Sequence, residues 1–209
     1  MLSLSSIVAA MKFSGMTSNL YDLAYGGNAE ASMNDPNLEV NVITPMSKRN
    51  LEIFRAFEHN IRKGVYPPIQ IVYDDNLGLS VKALAGMQRH TLIAQYLGEV
   101  TMDSQSSNDS LMTLLDTGDS SSSLIIDPSR VGNFARFLSG INNGRAESKR
   151  KINVRTRRFE MDGKMHVCLF TSRRVEAGEI LQYDYNAGHE GKDSRQWAET
   201  GFYDTSNFF

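Results

Sequence analysis

The chain has 209 residues, 22 lysines and arginines against 24 aspartates and glutamates, a formal net charge of −2 and 41% hydrophobic side chains. That length supports one domain of ordinary size, or a core domain with an added helical segment, and the apolar content is enough for a real core. No apolar run reaches the roughly 18 residues of a spanning helix, near-neutral charge argues against a protein that lives on DNA, and the single cysteine, Cys168, excludes an internal disulfide framework and a multi-cysteine zinc site.

Leu4, Ile7, Val8 and Met11 fall at helical spacing, so residues 1 to about 25 are expected as an amphipathic helix broken at Gly26-Gly27. Its apolar stretch is interrupted by serines and has no basic start, unlike a secretory leader. The polar segment 28–41 reads as loop. A second helix follows, with Ser47 as its cap, Leu51, Phe54, Phe57 and Ile61 as its apolar stripe, and Gly64 as its stop before Pro67-Pro68. The texture then changes to short β-rich runs: "IQIVYDD", "LSVKAL", "TLIAQYLGEV", "LMTLL" and "SLIID". A short helix, "VGNFARFL", comes next. "NVRTRRFEM" and "MHVCLFTSR" are expected to form a hairpin, because "MDGK" carries an Asp-Gly turn signal, and Cys168 is expected there as a buried strand thiol. The stretch "GEILQYDYN", 178–186, sets a Gly-Glu turn before a short strand that ends in two tyrosines around one aspartate. The four histidines, His59, His90, His166 and His189, form no metal-ligand spacing, so no metal site is expected.

Four pieces stand in a fixed order: "GLSVKA" at 78–83, "YLGEV" at 96–100, "GNFARFLSGINN" at 132–143 and "GEILQYDYN". Together they resemble the SET-domain lysine methyltransferases. That family's pattern runs glycine turn, Tyr-x-Gly, Arg-Phe with an asparagine-bearing turn, and Gly-Glu-x-Leu-x-Tyr/Phe-Asp-Tyr. "DSLMTLL", "NFARFLSGINN" and "YDYN" are similar to the plant Trithorax-related enzymes that monomethylate lysine 27 of histone H3. The resemblance implies a mainly β fold with α, small sheets around a pseudoknot, and a helical lead-in. Its expected parts are a helical segment at 1–64, the SET domain at 65–186, and an aromatic tail at 187–209 (Trp197, Phe202, Tyr203, Phe208 and Phe209) closing the substrate channel.

The implied reaction moves a methyl group from S-adenosylmethionine to a lysine amine. Only the neutral amine attacks, and deprotonating a free lysine at pH 7 costs about 4.6 kcal/mol. An apolar, aromatic channel lowers that cost by disfavouring the charged form. By resemblance, Tyr185 is the catalytic tyrosine and Tyr183, two residues earlier on the same strand face, limits product multiplicity. A tyrosine at the second position predicts a monomethylase. Tyr96 and Met112 are candidate channel walls, with Tyr183; for Met112, plain core packing is an equal reading. The cofactor residues implied are Gly78, Leu79, Ser80, Arg136, Phe137, Ser139, Gly140, Asn142, Asn143 and Tyr185. Ser80 stands where the family has a second glycine, and Ser139-Gly140 where it has Asn-His. The implied partner is the histone H3 tail and, through it, the nucleosome, with the nucleus as compartment; neither sequence-specific nucleic-acid binding nor oligomerisation is expected. The acidic positions from Glu99 through Asp103, Asp109, Asp116 and Asp119 suit a basic peptide. Two other readings stand beside this one: a methyltransferase for a non-histone lysine, and a catalytically weak SET-like module that binds a peptide.

Overall fold

A computed structural model describes residues 14–16, 18–25, 44–102, 110–116, 123–141, 150–161 and 164–184. Along the chain these form β1 (Ser18–Asn19), β2 (Ala24–Tyr25), β3 (Thr44–Pro45), helix α1 (Lys48–Arg62), β4 (Ile69–Asp74), β5 (Gly78–Ala83), β6 (Leu92–Gln95), β7 (Glu99–Met102), β8 (Met112–Leu115) and β9 (Leu124–Asp127). Then come β10 (Val131–Gly132), a 3-10 turn (Phe134–Phe137), β11 (Ser139–Gly140), β12 (Val154–Met161), β13 (Lys164–Thr171) and β14 (Gln182–Tyr183).

The strands make small sheets rather than one large one. Two have four strands, ordered β3-β12-β13-β6 and β2-β7-β9-β8; β4-β5, β1-β10 and β11-β14 are pairs. β12 and β13 form the expected hairpin, in register from Val154 opposite Thr171 to Met161 opposite Lys164. In the β4-β5 hairpin, Asn76 N and Leu77 N donate to Asp74 Oδ1 at 2.9 and 3.0 Å, and Gly78 takes φ 71°, a left-handed conformation that glycine adopts without strain.

Helix α1 begins where expected. Ser47 is extended and its Oγ accepts from Asn50 N at 3.2 Å. Gly64, at φ 77°, follows its end. Its stripe places Phe54 and Phe57 on Leu92, Phe159, Cys168 and Phe170, a second cluster beside the main core. The main core lies between the sheets and includes Val81, Ile93, Leu114, Leu124, Ile126, Val167 and Leu169. Cys168 is a buried strand thiol, as expected; burial pushes its pKa up, and the charge of Glu58 pushes the same way.

Three expectations need correction. The N-terminal helix is not what the described part of that segment forms. β1 pairs parallel with β10, and β2 with β7. Leu20 N donates to Gly132 O at 2.6 Å and Ala24 N to Gly98 O at 3.1 Å. Edge backbone groups of later strands satisfy this segment, and long-range pairing overrides local spacing; residues 1–13 lie outside the described residues. The run "TLIAQYLGEV" divides into β6 and β7, which join different sheets. The helix expected over 131–138 shrinks to one 3-10 turn. Asn133 caps it through Ala135 N at 3.2 Å, and Leu138 is already extended, which frees residues 139–141 to pair elsewhere. Among the described residues no helix is long and apolar enough to cross a membrane.

Candidate active site

The segment 178–183 is bonded on both sides. Gly178, at φ 95°, turns it back against β5, where Ala83 N donates to Glu179 O at 2.8 Å and Leu181 N to Val81 O at 2.7 Å. On its other edge, β14 runs parallel to β11, with Ser139 opposite Gln182 and Gly140 opposite Tyr183. Ser139 N donates to Leu181 O at 3.2 Å and Ile141 N to Tyr183 O at 3.1 Å. The Gly-Glu turn and apolar strand are therefore the central ribbon between two earlier parts of the chain. Tyr183 is 4% exposed and sits beside Gly140.

Two groups fix this ribbon that sequence reasoning missed. Asn153 is buried; its Nδ2 donates to Ile180 O at 2.9 Å, its Oδ1 accepts from Gln182 N at 2.8 Å, and its own N donates to Gln182 O at 3.1 Å. Glu179 accepts both Arg173 guanidinium nitrogens, at 3.0 and 2.6 Å, and Glu176 N at 2.7 Å. The Arg173 hydrogen bond is the largest reason its carboxyl drops to a pKa of about 2; burial opposes the shift, and the Glu176 amide and Asn153 assist it. The glutamate of Gly-Glu was visible in the motif, but no signal in the sequence names Arg173 or Asn153 as its partners.

Beside the ribbon lies a cleft of about 450 Å³. Leu79, Arg136, Phe137, Ser139 and Gly140 line it, all predicted cofactor positions, with Asn76, Leu77, Leu138 and Ile141. Gly78 opens the strand that carries Leu79. Ser80, expected to approach the cofactor through its backbone, has a fully buried side chain whose Oγ lies 2.9 Å from Ser139 Oγ. Arg136 reaches the cleft, but its Nη1 donates to Pro128 O and Ser129 O at 3.1 and 3.3 Å, and its guanidinium carbon stands 5.7 Å from the centre of the Phe137 ring. Its charge is held by the protein. The volume falls in the range of small-molecule sites, and apolar walls of Leu79 and Phe137 beside the slender Ser139-Gly140 backbone suit a nucleoside-sized ligand such as S-adenosylmethionine.

Of the predicted channel residues, Tyr96 and Met112 are brought together. The Tyr96 hydroxyl donates to Ser110 O at 2.5 Å, tying the end of β6 to the turn before β8, where Met112 begins. Both are buried, in the same core cluster as Tyr183. Glu99 is exposed and Asp116 half-buried. Tyr185, Asn142 and Asn143, the acidic positions Asp103, Asp109 and Asp119, and the aromatic tail lie outside the described residues. Among those described, no group of three or more His, Cys, Asp or Glu side chains could hold a metal ion.

The glycine of Tyr-x-Gly has a packing reason. A Cβ on Gly98 would stand 2.5 Å from the Asp127 carbonyl oxygen and 2.8 Å from Ile126 Cγ2, so β9 crosses where only a hydrogen fits.

Comparison with known proteins extends this geometry. The SET domain family matches residues 78–186. The chain is 34% identical over 192 residues to histone-lysine N-methyltransferase ATXR6 of Arabidopsis thaliana, covering 90% of this chain and 54% of that protein. It is 36% identical over 173 residues to a probable histone-lysine N-methyltransferase ATXR5 of Ricinus communis, covering 81% and 46%. The chain thus spans about half the length of the curated relatives it matches. A crystal structure of ATXR5 in complex with histone H3.1 mono-methylated on arginine 26 superposes with a TM-score of 0.82 at 34% identity, over 90% of this chain and 89% of that one. The small sheets, the single described α-helix and the ribbon seated between β5 and β11 are the SET-domain fold, and the chain belongs to the SET-domain family.

Proposed function

We propose that this protein is an S-adenosylmethionine-dependent protein-lysine N-methyltransferase that monomethylates histone H3 at lysine 27 in the nucleus. The observation that carries the reading is the pairing of Tyr183 with Gly140, a residue that lines the cofactor-sized cleft, so that the tyrosine strand lies next to the strand forming one cleft wall. The names of the relatives and the histone H3 in the ATXR5 complexes support the substrate class.

When bound, S-adenosylmethionine supplies a methyl group on a positively charged sulfur. Leu79, Phe137, Ser139 and Gly140 would hold the cofactor and cover one side of it. Tyr96, Met112 and Tyr183, buried in one core cluster, are assigned as the walls of the lysine channel, where an apolar setting would disfavour an ammonium and keep the amine neutral. Tyr185 is assigned as the catalytic tyrosine, with water removing the proton, since a tyrosinate near pKa 10 is too scarce at neutral pH. The Tyr183 hydroxyl fills the room that a methylated amine needs to turn and react again.

A radiolabel assay on H3 tail peptides tests this. The wild type transfers label to the peptide containing lysine 27, Tyr185→Phe loses most of that activity, and Tyr183→Phe shifts the product by mass spectrometry from monomethyl toward higher states. Peptide binding without label transfer would replace the enzyme by a binding module; a trimethylated wild-type product would remove Tyr183 as the limiting residue.

A further inference from the structure

Two of the three positions where the chain departs from its family's pattern at the cleft, Ser80 and Ser139, touch each other. Ser80, on β5, and Ser139, on β11, place their hydroxyls 2.9 Å apart, at 0% and 7% exposure. Ser80 Oγ also lies 3.3 Å from Gly78 O. A serine has one proton to give, so Ser80 donates either to Gly78 O, with Ser139 then donating to Ser80, or to Ser139 itself; in both arrangements the two hydroxyls are bonded to each other.

The pair also joins the two walls of the cleft. Leu79 precedes Ser80 on one wall, and Ser139-Gly140 forms the other. Ser139 N is bonded to Leu181 O, so a shift at Ser139 passes directly to the ribbon that carries Tyr183. We propose that the Ser80–Ser139 hydroxyl pair is a positioning strut that sets the width of the cofactor cleft, and that the two positions are interdependent, accepting the family's glycine and asparagine only together. The proposal rests on the reading that the cleft takes S-adenosylmethionine. Its physical basis is space and bonding. Ser139→Asn alone pushes an amide into the buried volume that Ser80 Oγ occupies. With Ser80→Gly as well, that volume is vacated and the new amide can donate to the Gly78 carbonyl in place of the lost hydroxyl.

The test is calorimetric binding of S-adenosylhomocysteine, the unreactive product, to the full chain and to Ser80→Ala, Ser139→Ala, their double, Ser139→Asn, and Ser80→Gly/Ser139→Asn. Each alanine variant is expected to weaken binding about tenfold, the double no more than either single, because the second removal finds the strut already gone. Ser139→Asn weakens it by more than about tenfold, and adding Ser80→Gly recovers most of the loss. In the methylation assay KM for the cofactor rises while kcat moves far less, a split that general destabilisation would not give. Multiplying single effects, unimpaired Ser139→Asn, or a Gly/Asn double worse than Ser139→Asn overturns the strut. If the wild type binds no cofactor analogue, the cofactor reading falls instead. Urea unfolding of the same six proteins then decides the pair, coupled midpoints supporting it and additive ones overturning it.

Discussion

Asn153 commits its side-chain amide and its backbone N–H to one short stretch of chain. Nδ2 serves Ile180, Oδ1 serves Gln182, and its own backbone N–H serves the Gln182 carbonyl. Asn153→Ala leaves a buried amide and a buried carbonyl without these partners. It is expected to lower stability by about 2–4 kcal/mol in urea titrations, since each buried group left unsatisfied costs roughly 1–3 kcal/mol. Its neighbour Glu179 predicts a pH effect. The folded state holds this carboxyl at about 2 against an ordinary 4.5, chiefly through Arg173, so between those values the unfolded chain binds more protons than the folded one. Its contribution is therefore present above about pH 4.5 and is lost as pH falls toward about 2. The difference in unfolding free energy between wild type and Glu179→Gln should shrink across that window. An unchanging difference would remove the ion pair as its source.

Helix α1 shows how far an element can be read from its sequence, and where the reading stops. Ser47, the stripe and Gly64 are local signals, each acting within a few residues, and all three survive in the structure. The strands β4 to β9, β12 and β13 are visible for the same reason, as alternating or continuous apolar runs between turns, whereas the two-residue β10 and β11 are not. Their pairing was not visible. Nothing near Leu20 announces that its amide belongs to Gly132, because the partner strand lies far along the chain. The helical spacing of "NFARFL" predicts a helix, but residues 139–141 are bonded to the ribbon, so only a 3-10 turn forms. The helix also carries a stability prediction. Phe54 is buried against the β12-β13-β6 face, and its ring meets His166 edge-on at 5.7 Å. Phe54→Ala is expected to cost about 3–5 kcal/mol by thermal or urea unfolding, as large core truncations do.

At the scale of the whole molecule, a ligand that binds only the folded state stabilises all of it. S-adenosylmethionine at about 100 times its Kd adds about 2.7 kcal/mol, which for a chain of this size raises Tm by roughly 5–10 °C. A calorimetric scan with and without the cofactor checks this, and no shift at saturating concentration would count against the cleft as its site. The motifs lead to residues that line one cleft, yet they do not reveal that the Ser80 hydroxyl meets that of Ser139; the bond joins chain segments whose proximity exists only after folding. The double-sided bonding of 178–183 has one more consequence, for the order of events in time. The ribbon pairs with residues around Val81 on one side and with residues around Gly140 on the other. Contacts so distant along the chain close large loops and form slowly. During synthesis the ribbon cannot be seated until the last of these segments has left the ribosome, so a nascent chain stopped before Gly178 would carry most of the sheets and an incomplete candidate site.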